Sequence, residues 1–269
     1  MIQDLSNRAI FRVTGNDAIR YINGQVSQDV NLASENTAVY SVVASFKGKM
    51  QGDLYLRLYK GELLIDTSEE QRESLLMRLD KYLIADDAEI EDVTGTFHLV
   101  HTIEKSRVDS ALASWDCNRY GVPGEDHLYL KSDKLPLATE KFDWDSLRIS
   151  HKIALWGNEL TEDTLPPEAS LEDRAVSYTK GCYTGQEVIS RIKSAGKTNR
   201  HLVGFKFDHN IATPLNLYID KSAEGKPGAT ITSASINDSG NRIGLGYRTR
   251  KHQDTEVFYD SEGNAYTIS

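Results

Sequence analysis

Apolar residues recur along this chain with two periods, and the alternation between them predicts its elements. In "VTGNDAIRYINGQV" Ala18, Ile19 and Ile22 share one face at helical spacing, with Thr14 and Asp17 placed to cap. "TAVYSVVASF" is a continuous apolar run of strand length and reads as a buried strand. "GKMQGDLYLRLYKGELLID" alternates and predicts a hairpin turning at Lys60-Gly61. Its first arm carries Leu54, Leu56 and Leu58 on one face and Asp53, Tyr55, Arg57 and Tyr59 on the other. Helical spacing returns at Leu75, Leu76, Leu79 and Tyr82, with Ser68 and Gln71 fitting a capping box. "EIEDVT" and "TFHLVHTI" predict two further strands, and this order of strands and helices implies an α+β layer.

Residues 115–140 are loop-rich ("NRYGVPGED"), with short strands such as "HLYLK". "DWDSLRISHKIAL" predicts a helix that returns toward the first unit, and "TEDTLPPEASLED" a polar loop with a Pro-Pro stop. The character changes after residue 196. "HLVGFKF", "LNLYI", "GATITSASI", "RIGLGYR" and "AYTIS" predict short strands between Gly, Pro and Asn turns, the pattern of a small β-barrel or sandwich.

Composition narrows the function classes. The chain has 269 residues, and a net charge of −9 argues against a uniformly basic nucleic-acid binder. No apolar run approaches a membrane span, and "MIQDLSNRAI" lacks the basic and apolar regions of a signal peptide. Two cysteines, Cys117 and Cys182, build neither a disulfide framework nor a four-cysteine zinc site, and their sparseness fits a reducing cytoplasm. The histidines lack metal-ligand spacing, so no metal is assigned. "GLGYR" has no following helix, and "GKT" lacks the glycine of a phosphate loop.

The chemistry concentrates in "KGCYTGQE" (180–187). Thr184 and Glu187 fit a capping box, which starts a helix near Thr184 and leaves Cys182 just before it. The helix dipole and Lys180, with Arg191 or Lys193, would then favour the thiolate. Gly181 and Gly185 allow a tight turn and close approach of a partner. The same residues also read as a packed cysteine in a turn, with Glu187 as cap and as an ordinary i,i+4 partner of Arg191. Asp53 is a carboxylate among aromatics if its strand face lines a cavity, suited to a flat nitrogen heterocycle, and a solvated residue if it does not.

Several segments together resemble the YgfZ/GcvT family of folate-binding proteins, related to the aminomethyltransferase (T-protein) of glycine cleavage. "KGCYTGQEVISR" resembles the K-G-C-Y-x-G-Q-E signature of the YgfZ branch, which includes a mitochondrial iron–sulfur maturation relative. "TGNDAIRYINGQVSQDV", "LRISHKIALWGNELTEDTLPPEASL" and "RHLVGFKF" resemble other family segments. The resemblance implies an α+β, three-unit aminomethyltransferase-like fold around a central opening for tetrahydrofolate. Its units would be 1–45 with 140–196, an inserted 46–139, and a C-terminal β-barrel over 197–269.

It also implies site residues. Cys182, Lys180 and Asp53 would carry the chemistry. Asp53, Tyr55, Arg200, Glu187, Gln186, Gly181 and Gly185 would hold the folate. Asp53 falls on the second aspartate of the T-protein stretch G-G-I-x-D-D-L-x-V, and Gly52 replaces the first. Ser150 stands where many relatives have a pterin-gripping glutamate. Asn7-Arg8 stands where T-proteins have His-Met-Gly. The function implied is a tetrahydrofolate-binding accessory protein supporting iron–sulfur enzymes and tRNA modification in the cytoplasm. Its partners would be iron–sulfur enzymes or their assembly factors, without direct nucleic-acid or membrane contact. The alternatives are a folate-dependent aminomethyltransferase or other one-carbon transferase, and a scaffold without folate.

Overall fold

The computed structural model of the chain describes residues 1–103, 110–136 and 141–269. Three antiparallel sheets carry it. The first has five strands in the order β3 (Val39–Ala44), β4 (Met50–Tyr59), β5 (Glu62–Ser68), β2 (Arg8–Thr14), β6 (Glu89–Asp92). The second has four, β1 (Ile2–Asp4), β7 (Phe97–Ile103), β9 (Gly124–Leu130), β8 (Ala113–Asp116). The third has six, β11 (Leu215–Leu217), β12 (Ala229–Ile236), β13 (Arg242–Thr249), β10 (Arg200–Phe207), β15 (Ala265–Ile268), β14 (Val257–Tyr259). A bridge between Tyr218 and Tyr259 brings the outer strands of the third sheet together, so it nearly closes into the expected barrel. This is an α+β architecture.

The helices are α1 (Ala18–Gln25), α2 (Arg72–Asp80), α3 (Trp144–Ser150), α4 (Glu172–Ala175) and α5 (Gln186–Ala195). α1 and α2 cover one face of the five-stranded sheet, burying Ala18, Tyr21, Ile22, Leu75 and Leu79 against Phe11, Leu54, Leu56 and Ile65. The sheet's other face packs in two places. Ile10 and Leu64 meet Leu99, Trp115 and Leu128 of the four-stranded sheet. Tyr40, Val42, Met50 and Tyr55 meet Ile149, Ala154, Leu160 and Leu171 of the segment 141–196 that leads to the barrel, and Leu202, Leu245 and Tyr247 of the barrel. Strands buried on both faces read as continuous apolar runs, which is why "VYSVVA" is buried throughout.

The hairpin turns where the alternation predicts. Lys60 and Gly61 both have positive φ, as a two-residue turn between twisted strands requires. Three predicted caps are not made. Asp17 accepts from the backbone N–H of Asp87 at 2.9 Å instead of capping α1. A 3-10 turn, Glu69–Gln71, precedes α2, and the Gln71 side chain leaves the helix for β4. Gly185, at φ 86, turns the chain immediately before α5, so Thr184 caps nothing. Glu187 pairs with Arg191 at 2.7 Å, both exposed.

The strands β1, β2, β8 and β14 were not predicted from the sequence pattern. The five-stranded sheet runs across residue 45, because β3 pairs with β4 from Val39↔Leu56 to Ala44↔Met50. The boundary expected at 139/140 lies outside the described residues. Among the described residues, no helix is long and apolar enough to cross a membrane.

Candidate functional site

Between the five-stranded sheet, the loop after β8 and the segment 141–196 that leads to the barrel lies a small cleft of about 70 Å³, open to solvent. Asp53 and Tyr55 of β4 and Tyr40 of β3 form one wall, and Arg8, Arg119, Tyr120, Arg148 and Arg174 stand around them. The polar face of the hairpin therefore lines a cavity, and the solvated reading of it is set aside.

Asp53 is held on every side. Tyr40 Oη donates to its Oδ2 at 2.9 Å, and Gln71 Nε2 donates to its Oδ1 at 2.7 Å. Its backbone N–H donates to Gln71 Oε1 at 2.9 Å, and Thr67 Oγ1 donates to its carbonyl at 2.8 Å. Both carboxylate oxygens accept a hydrogen bond. The Tyr40 and Tyr55 rings lie 4.9 Å apart. The Arg119 guanidinium sits 3.9 Å from the Tyr55 centroid, and that of Arg174 5.1 Å from Tyr40. Burial, and then the neighbouring Asp53, push the Tyr40 phenol well above its ordinary pKa, so it donates rather than ionises.

Beneath the cleft is a buried ion network. Asp126 takes Arg119 in a fork at 2.8 and 2.7 Å, His101 Nδ1 at 2.8 Å and Arg57 at 3.2 Å. Asp66 is paired with Arg119 at 2.8 Å and with Arg8 and Arg57. Burial alone raises carboxyl pKa values. Here the surrounding guanidiniums outweigh it and hold Asp66 below, and Asp126 well below, the usual range. His101, Cys117 and Asp126 place donor atoms within 4.8 Å of one another. The carboxylate is already taken by two arginines, whose charge opposes a metal cation there.

The structure brings Asp53 and Tyr55 together and leaves the other expected residues outside the cleft walls. Arg200 pairs with Glu168 at 3.0 Å and lies over Tyr247. Ser150 is exposed at the end of α3. The 180–187 segment forms a second feature. Lys180 Nζ donates into a cage of Asn23 O at 2.6 Å, Asn23 Oδ1 at 3.0 Å, and Val26 O and Gln28 O at 2.8 Å. Burial pushes its pKa down to about 8. Two backbone bonds reinforce the tie, Ser177 N to Ser27 O at 2.9 Å and Thr184 N to Gly24 O at 3.2 Å. A Cβ on Gly185 would stand 2.5 Å from Ser45 O, so glycine is required where this loop crosses the β3–β4 turn. Cys182 is exposed between these anchors, whereas Cys117 is buried. The packed reading of Cys182 is thereby overturned. The cations expected to flank it face elsewhere: Lys180 to the carbonyl cage, Arg191 to Glu187, and Lys193 to the Tyr178 ring at 3.6 Å.

Pattern reading missed Tyr40, Gln71, Arg119 and Arg174. Arg119 sits in the "NRYG" loop, and an arginine in a Gly-rich loop between strands was the available signal. The other three had none, since each reaches the site from a different element.

No protein-family profile matches the chain. It is similar to the tRNA-modifying protein YgfZ of Hamiltonella defensa, 25% identical with 74% of this chain and 67% of that protein covered. The YgfZ of Yersinia pestis gives 25% identity over 74% of this chain and 68% of that protein. A putative chloroplastic transferase of Arabidopsis thaliana is 23% identical, covering 92% of this chain and 65% of that protein. Among solved structures, the glycine cleavage system aminomethyltransferase T of Bartonella henselae superimposes with a TM-score of 0.78. That match covers 99% of this chain and 84% of the other at 17% identity, and it carries the fold.

Proposed function

Starting from a chain of the YgfZ/GcvT-like type, we propose that it is a tetrahydrofolate-binding accessory protein that supports iron–sulfur enzymes, and through them tRNA modification, in the cytoplasm. The observation that carries the folate reading is the Asp53 cleft. A carboxylate beside the Tyr40 and Tyr55 rings suits the N–H edge and flat face of a reduced pterin. Arg174, which donates to the Asn118 carbonyl at the same cleft, suits a carboxylate of the folate tail. The name of the YgfZ relatives supports the link to tRNA modification.

In this reading Cys182 is the working thiol, and the Lys180 cage fixes the loop that presents it. Gly181, Gly185, Gln186, Glu187 and Arg200, folate contacts by the resemblance, lie outside the walls of the Asp53 cleft. Calorimetric titration with tetrahydrofolate tests the first half, and no heat at millimolar ligand would sink it. Rescue of iron–sulfur enzyme activity in a deletion strain tests the second. Cys182→Ala is expected to abolish rescue with an unchanged circular dichroism spectrum, and full rescue makes the thiol dispensable.

The aminomethyltransferase alternative draws on the Bartonella fold match and on Asp53, and formation of methylene-tetrahydrofolate from an aminomethyl-lipoyl carrier would establish it. The folate-free scaffold predicts the opposite calorimetric result.

A further inference from the structure

The β4–β5 ladder stops at Tyr55↔Asp66, two residues short of Asp53. The strand beside Asp53 is replaced there by side chains. Gln71, 1% exposed, occupies the gap and bonds Asp53 twice, accepting from its backbone N–H and donating to its carboxylate. Thr67, fully buried, closes the third contact by donating to the Asp53 carbonyl. The arrangement depends on the residue before Asp53. A Cβ on Gly52 would stand 2.7 Å from Gln71 Oε1 and 3.0 Å from Leu75 Cδ1, so any side chain at position 52 displaces the amide. The missing side chain and the inserted glutamine are thus two halves of one device. Gln71 also forgoes capping α2 to serve it.

We infer that Gln71 is a positioning residue for Asp53, and that Gly52 is the space that admits it. The amide locks the Asp53 rotamer between Gln71 and Tyr40. It directs the one remaining acceptor direction of each oxygen into the cleft, toward a ligand that presents N–H donors. The role of Asp53 toward folate rests on the function proposed above; the clamp itself does not.

A double-mutant cycle separates positioning from mere support of the fold. Tetrahydrofolate affinity is measured by calorimetry for wild type, Gln71→Leu, Asp53→Asn and the double variant, each checked for a native circular dichroism spectrum. Gln71→Leu is expected to weaken binding about tenfold, the scale of one lost charge-assisted bond. On the Asp53→Asn background the same change is expected to cost less than about twofold, because nothing remains to be positioned. If Gln71→Leu unfolds, Gln71→Met, unbranched and close to glutamine in length, removes the donor to the Asp53 carboxylate without adding a charge, and the same non-additivity is expected. Equal losses on both backgrounds would overturn the positioning role and leave the folate reading standing. Wild-type protein that binds no tetrahydrofolate removes that reading and the positioning role with it. The clamp is then read from the same cycle in urea midpoints, where additivity would overturn it too.

Discussion

Asp126→Asn removes one charge from the floor of the cleft while keeping the side chain's shape. In the native network Arg8, Arg57 and Arg119 face Asp66 and Asp126, three positive groups against two negative. The substitution leaves three against one. Asp126 is fully buried, and so is Arg57 at 1% exposure, so the excess positive charge left on the network has no water to turn to. Breaking a buried pair by removing one partner costs about 3–5 kcal/mol. At about 2 °C per kcal/mol for a chain of this size, the melting midpoint falls by roughly 6–10 °C. Scanning calorimetry with urea unfolding measures it.

Arg57→Met supplies the control. Methionine keeps apolar contact beside Trp115, where the Arg57 guanidinium now lies 5.2 Å from the ring, and the pair Asp126→Asn with Arg57→Met restores two positive groups against one. The double variant is expected to lose less than the sum of the singles. A loss below about 1 kcal/mol for Asp126→Asn, or strict additivity in the pair, would refute the claim that the network is one electrostatic unit.

Four further outcomes follow. The depressed carboxyls of Asp66 and Asp126 mean that the unfolded chain takes up protons the native one refuses. Their stabilisation is complete above about pH 4, the ordinary carboxyl range, and is lost as pH falls through the lower native values. Melting curves from pH 7 to pH 2.5 are expected to be flat in this contribution and then fall, less steeply in Asp126→Asn; a decline centred above pH 5 argues against the network as its source. Tyr40→Phe removes the donor to Asp53 Oδ2 and is expected to weaken tetrahydrofolate binding about tenfold without changing the melting midpoint, and unchanged affinity would refute a held carboxylate. One thiol of the native protein is expected to react with Ellman's reagent and two in urea, with Cys182→Ser silent until unfolded. Lys180→Met, which removes a donor from four oxygens, is expected to cost about 1–3 kcal/mol in urea unfolding, and a cost under about 0.5 kcal/mol refutes the tie.

What the sequence disclosed is what periodicity encodes. The β4–β5 hairpin, the α2 stripe and the change to barrel strands after residue 196 were legible because each is a local repeat of apolar residues. β2 was missed although Ile10, Phe11 and Val13 are buried, because "RAIFRVT" is too short and mixed to stand out from its flanks. The capping boxes were misread for a physical reason. Gln71 and Glu187 each have the right spacing, but long-range or exposed partners compete for the side chain. Asp53 and Tyr55 were identified from strand alternation. Tyr40, Arg8, Arg119 and Arg174 join them from 13 to 121 residues away along the chain, a distance over which no local pattern operates.

The Lys180 cage has a consequence for how the molecule is made. Its acceptors lie at residues 23–28, so the contact spans 157 positions to Asn23 and 152 to Gln28. Closing so long a loop is slow relative to forming the local hairpin and helices. During synthesis the carbonyls at the end of α1 must wait, solvated, until the ribosome has delivered Lys180. A chain stopped short of that residue can form the early hairpin but not the cage. Presentation of the exposed cysteine is therefore a late event in assembly, and it reports that the two halves of the polypeptide have found each other.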